Sequence, residues 1–123
     1  MEKLTQFGVY LKELRVSAGI EQEDLANAVG KTKQYISNLE RGVNLSPPED
    51  SDLELYCQKL LLDDEQKEQF YFKAAADRGR LPKKQMEYIL NHDYLIQLIA
   101  YGEKHHTDEQ TWKMLIEVLK LQK

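Results

Sequence analysis

The sequence predicts an all-α fold, with about five helices over residues 1–79 and two or three more over 80–123. Three observations predict it. Apolar residues recur at helical spacing through most of the chain. No stretch alternates apolar and polar residues between turn dipeptides, the pattern a hairpin would need. Single glycines and a Ser-Pro-Pro step punctuate the periodic segments, as helix ends require.

Leu4, Phe7, Leu11, Leu14 and Ala18 form one stripe, ending at Gly19. Leu25, Ala26 and Val29 make a short second helix, ending at Gly30. Tyr35, Ile36 and Leu39 make a third, ending at Gly42. Ser46-Pro47-Pro48 breaks the chain, because proline lacks an N–H donor and biases its predecessor away from helix. A fourth helix is expected over 52–61. Asp63 is positioned to cap a fifth over 64–78, with Phe70, Phe72, Ala74 and Ala75 available for burial, before Gly79. After Leu81-Pro82 a short helix is expected over 83–91. Another follows over 94–102, with Asp93 as its cap. The last covers 108–121, where Thr107 and Gln110 fit the S/T-x-x-E/Q capping box.

The bulk numbers exclude several classes. Of 123 residues, 41% are hydrophobic and 31% charged, the composition of a folded, soluble chain of one domain or one domain with an appendage. One cysteine, Cys57, excludes an internal disulfide and fits a reducing compartment. Its neighbours Leu55, Tyr56, Leu60 and Leu61 point to a buried small hydrophobe. MEKLTQFGVYLKEL lacks the basic, apolar, small order of a signal peptide, and no apolar run approaches the roughly 20 residues that span a bilayer. The expected location is the cytoplasm, with no membrane partner. His105-His106 point apart on one element, and no third ligand is placed beside them, so no metal is expected. There is no Gly-rich phosphate loop, Ser/His/Asp arrangement or zinc spacing. The expectation is a protein without cofactor and without enzymatic activity.

Net charge is −4, but it is unevenly spread. Residues 1–45 balance six Lys/Arg against six Asp/Glu, 46–79 hold four against nine, and 80–123 hold seven against six. A surface that meets phosphate must avoid the middle third. Within 31–41, Lys31, Lys33 and Arg41 stand against Glu40 alone, a local positive spot.

That spot lies in the most informative segment. EQEDLANAV, GKT and KQYISNLERG read as two short helices joined by a three- or four-residue turn, a helix-turn-helix. Ala26 lets the helices cross closely, and Gly30 supplies the turn conformation. With Ile36 and Leu39 packed inward, Lys33, Gln34, Ser37, Asn38 and Arg41 remain on the outer face. Such a helix fits a major groove. Gln and Asn can pair bidentately with adenine, and Lys can donate to guanine O6 or N7.

The run LKELRVSAGIEQEDLANAVGKTKQYISNLERG closely resembles the Cro/repressor (XRE) family of helix-turn-helix regulators, the likeness covering residues 4–45. It implies a five-helix, repressor-like DNA-binding domain over 1–79, reading helix about 33–41, with a helical extension. It implies double-stranded DNA as partner, bound by a dimer on a palindromic operator, usually to repress transcription. Lys33, Gln34, Ser37 and Asn38 fall on base-reading positions, with Thr32 beside them. Gln22 matches the Gln that opens the second helix, contacts phosphate and braces the reading helix. Arg15 and Glu40 match an Arg–Glu pair that ties helix one to helix three. Lys31, Thr32, Tyr35, Arg41 and Asn44 complete the expected backbone contacts, Tyr35 either stacking on sugar-phosphate or packing on helix two. The chain departs from the family at Val43-Asn44-Leu45-Ser46, where a cation is common, so backbone N–H groups, Asn44 or Ser46 must serve.

YLIQLIAY and WKMLIEVLKL hold more apolar surface than a helix pair of that size can bury between its members. Either these segments pack on the fifth helix or they form an interface, and residues 80–123 are expected to dimerise the protein or to capture a protein or peptide partner. In the second case an antitoxin or protein-binding module that also regulates its own promoter is the alternative. A helical interaction domain without DNA binding is the third reading, kept open by the acidic middle and the uncharged loop.

Overall fold

The computed structural model describes residues 7–43 and 46–122. Among them are eight helices and no strand: α1 Phe7–Ser17, α2 Gln22–Val29, α3 Lys33–Arg41, α4 Asp50–Leu60, α5 Asp64–Asp77, α6 Lys83–Leu90, α7 Tyr94–Lys104 and α8 Glu109–Lys120. The fold is all-α, with the helix-turn-helix at its N-terminal end. The chain divides after Pro82 into two compact units.

In the first unit, α1 to α5 surround one core. Phe7, Leu11, Leu25, Ile36, Leu53, Tyr56 and Phe70 are its largest fully buried side chains. The rings of Phe7 and Phe70 lie 4.9 Å apart and tilted, joining α1 to α5. Cys57 is buried there, and burial pushes its thiol up to about 11, so it behaves as a small hydrophobe. The acidic segment closes on itself in part. Asp63 and Gln66 form a reciprocal capping box on α5, and Arg78 and Arg80 both reach Glu49.

Gly8 permits an approach that the sequence does not announce. A Cβ there would overlap the carbonyls of Leu39 and Glu40, so α1 crosses the last turn of α3 backbone to backbone. At the N-terminal end of α1, the Phe7 N–H donates to Asp77 Oδ2 at 3.3 Å, a cap supplied by α5. Leu4 lies outside the described residues, and Ala18 falls beyond the helix end and is exposed. The fourth helix starts at Asp50, earlier than expected, because Glu49 in extended conformation follows the proline step directly.

The second unit holds α6, α7 and α8. Gly102 is the buried residue of these three helices, pressed against the Trp112 ring so closely that a Cβ would overlap it. Tyr94, Ile96, Leu98, Ile99 and Tyr101 on α7, and Met114, Leu115, Ile116, Val118 and Leu119 on α8, are all exposed. Two expected caps differ. Thr107 and Gln110 do not form the box; Asp108 is the N-cap of α8, its carboxylate accepting from Thr111 N–H at 2.8 Å. An ionised carboxylate favours a helix start more than a hydroxyl, and this contact holds Asp108 below its ordinary pKa. Asp93 precedes α7 in a helical conformation and makes no side-chain cap.

Candidate nucleic-acid interface

The turn between α2 and α3 is Gly30-Lys31-Thr32. Gly30 sits at φ 72°, ψ 33°, a left-handed conformation open to glycine without penalty. Lys31 N–H then reaches back to the Ala26 carbonyl at 2.9 Å, closing α2. Thr32 starts α3, its Oγ1 accepting from the Tyr35 N–H at 3.0 Å. Gly42, at φ 69°, ends it, and the Val43 N–H returns to the Asn38 carbonyl at 3.0 Å. A helix of nine residues is too short to be stable alone, so both caps and the buried face are needed.

That face is Ile36 and Leu39, 0% and 3% exposed. Tyr35 is half-buried against the same core, and its ring carries the Lys31 ammonium 5.1 Å above it. Lys33, Gln34 and Arg41 are exposed, and Ser37 and Asn38 are half-buried on the outer side.

Below α3, Glu40 is 6% exposed and receives three donors. Arg15 binds it through Nε at 2.5 Å and through a second guanidinium nitrogen at 3.1 Å; Gln22 Nε2 binds it at 3.0 Å. Arg15 also donates to the Ile20 carbonyl at 2.8 Å. Thus α1, the loop after it, the start of α2 and the end of α3 converge on one carboxylate. The hydrogen bond to Glu40 raises the Arg15 pKa further, against a smaller opposing effect of burial. The expected Arg15–Glu40 brace is present, and Gln22 is part of it. Gln22 keeps one amide hydrogen for another acceptor, and the Thr32 hydroxyl keeps its proton.

This burial changes the charge of the surface. Because Glu40 is paired inside, Lys31, Lys33 and Arg41 stand exposed without it. A polar cleft of about 370 Å³ between Lys33 and the start of α2 brings in Glu21 and Glu23, which temper the positive end. Asn44 lies outside the described residues. The outer row is itself connected: Gln34 Nε2 and an Arg41 guanidinium nitrogen both donate to Asn38 Oδ1, at 2.9 and 2.6 Å. Residues at i, i+4 and i+7 share a face, so the spacing in KQYISNLER could have pointed to this row; which group donates could not be read from it.

Two short helices, a left-handed glycine between them and a polar second helix define a helix-turn-helix domain. The family described as a helix-turn-helix domain matches residues 6–70, and the chain belongs to it. No curated protein and no solved structure matches the chain. The fold and family point to a DNA-binding regulator. Among the described residues, no helix is long and apolar enough to cross a membrane.

Proposed function

We propose that this protein is a sequence-specific regulator of the Cro/repressor type, which inserts α3 into the major groove of double-stranded DNA. One observation carries the reading. The α3 helix is fixed from below by Ile36, Leu39 and the Glu40 cluster, and turns a connected row of amide and cationic side chains outward. Lys33, Gln34, Ser37 and Asn38 form the row that faces the bases. Gln22, Lys31, Thr32, Arg41 and Asn44 serve the phosphates on either side, with Tyr35 a support for Lys31. The protein acts as a dimeric repressor, two copies of α3 lying about 34 Å apart on a palindrome that overlaps a promoter.

Selection of bound fragments from random duplex DNA, at one stated salt concentration, tests this. A palindromic motif with half-sites about one helical turn apart is the expected result. Recovery of no enriched sequence contradicts it. With no cation at Val43, and Glu21 and Glu23 beside Lys33, non-specific affinity should be modest and its salt slope shallow.

The exposed apolar residues of α7 and α8 support a dimer through the second unit, and equally favour the alternative of an antitoxin or protein-binding module that regulates its own promoter. Sedimentation separates the two. A full-length dimer that becomes monomeric when the chain ends at Pro82 supports dimerisation. A full-length monomer assigns the apolar face to a different protein.

A further inference from the structure

Along α3 the row Gln34, Asn38, Arg41 divides the work of reading among its residues, a division that rests on the proposed contact of α3 with bases. The Arg41 guanidinium carries only donors, so the Asn38 atom facing it is the carbonyl oxygen. That fixes which way the Asn38 amide is turned. Gln34 meets the same oxygen, and must offer its nitrogen. That fixes the Gln34 amide in turn: Nε2 towards Asn38, Oε1 left free.

The consequences for the two amides are opposite. A carboxamide oxygen has two lone pairs, and in Asn38 both are taken, at 2.9 and 2.6 Å. Bidentate reading of adenine needs that oxygen to accept from N6–H, so Asn38 lacks the edge for it. Gln34 has spent one amide hydrogen only. Its free oxygen and second hydrogen make the acceptor–donor edge that pairs with adenine N6 and N7.

We infer that Gln34 is the adenine-reading side chain of α3, and that Asn38 and Arg41 are positioning residues that hold its amide in the reading orientation. Arg41 is thereby tied into specificity, beyond any phosphate it touches.

The test is discrimination, measured as the affinity ratio between the selected site and the same site with one A·T pair replaced by G·C, position by position. Gln34→Ala should cut the ratio at one adenine position by about ten- to a hundred-fold. Asn38→Ala and Arg41→Met should cut it several-fold at that same position and leave other positions unchanged. Gln34→Ala combined with Asn38→Ala should discriminate there no worse than Gln34→Ala alone. Asn38→Asp, whose carboxylate still accepts from both neighbours, should keep the ratio while weakening binding to every sequence. The inference is overturned if Asn38→Ala relaxes a position different from that of Gln34→Ala, or if Arg41→Met weakens all sequences equally with every ratio intact. Those results leave DNA reading standing; failure of the unaltered protein to prefer any sequence removes both.

Discussion

The two units of the chain spend their apolar residues in opposite ways. In the first, α1 to α5 bury Phe7, Leu11, Leu25, Ile36, Leu53, Tyr56 and Phe70 almost completely. In the second, a comparable supply on α7 and α8 stays exposed, and Gly102 alone is buried within α6, α7 and α8. The first unit has the core of an independent domain. The second has the composition of one without the burial, which is what a surface made for association looks like. Stability should therefore reside in α1–α5, and oligomeric or partner behaviour in α7 and α8.

The largest effect should come from emptying the core. Phe70→Ala removes the ring that packs on Phe7 and should cost about 3–5 kcal/mol, against less than about 0.5 kcal/mol for Leu119→Ser in dilute monomeric protein, both read from denaturant melts. Equal costs would erase the contrast between the units. Next, Glu40→Ala leaves the Arg15 guanidinium buried without its partner and should cost about 3 kcal/mol, with little dependence on salt. A loss that shrinks steadily between low and high salt would mean an exposed pair.

The second unit has its own sensitive point. Gly102→Ala forces a methyl group into the Trp112 ring and should loosen α7 from α8 by about 1–3 kcal/mol. Trp112 is the chain's single tryptophan, so a red shift of its emission reports that unit alone. Unchanged emission would show that the close approach is dispensable.

The smallest effect concerns Asp77. Burial raises its pKa above the ordinary value, outweighing the Phe7 N–H and Lys73, which pull the other way. A raised carboxyl favours the folded state fully below its unfolded pKa of about 3.9, and that stability is lost as pH rises through the folded value. Asp77→Asn still accepts from Phe7 and avoids the loss. It should gain up to about 1 kcal/mol over the unaltered protein at pH 7 and nothing at pH 3. A gain confined to pH 3 would reverse the sign and contradict the assignment.

Much of the first unit was legible because its signals are local. Gly30 and Gly42 act through their own backbone, so their places in GKT and ERG mark the ends of α2 and α3 directly. The positions of Ile36 and Leu39 follow from helical period. The Arg15–Glu40 pair was reached through a family resemblance; nothing in the spacing of 25 residues between them would have joined them. Gly8, a small residue mid-helix, and Asp77, a cap from the far end of the unit, act across space and leave no local trace. Asp108 displaced Thr107 as the α8 cap because adjacent polar residues offer starts one residue apart, Thr107 to the Gln110 N–H or Asp108 to the Thr111 N–H, and pattern alone does not rank them. In the second unit, periodicity placed the helices and the excess of apolar residues announced itself. In the proposed reading a second molecule covers that excess, and one chain's sequence does not describe it.

The central claim is that the outer face of α3 meets bases. Titrating the isotopically labelled protein with its selected duplex, and following amide resonances by NMR, tests it most directly. The side-chain amides of Gln34 and Asn38 and the backbone amides of 32–38 should shift or broaden most, with those of α7 and α8 unmoved by the DNA itself. Perturbation confined to α7 and α8, with α3 silent, would contradict the account.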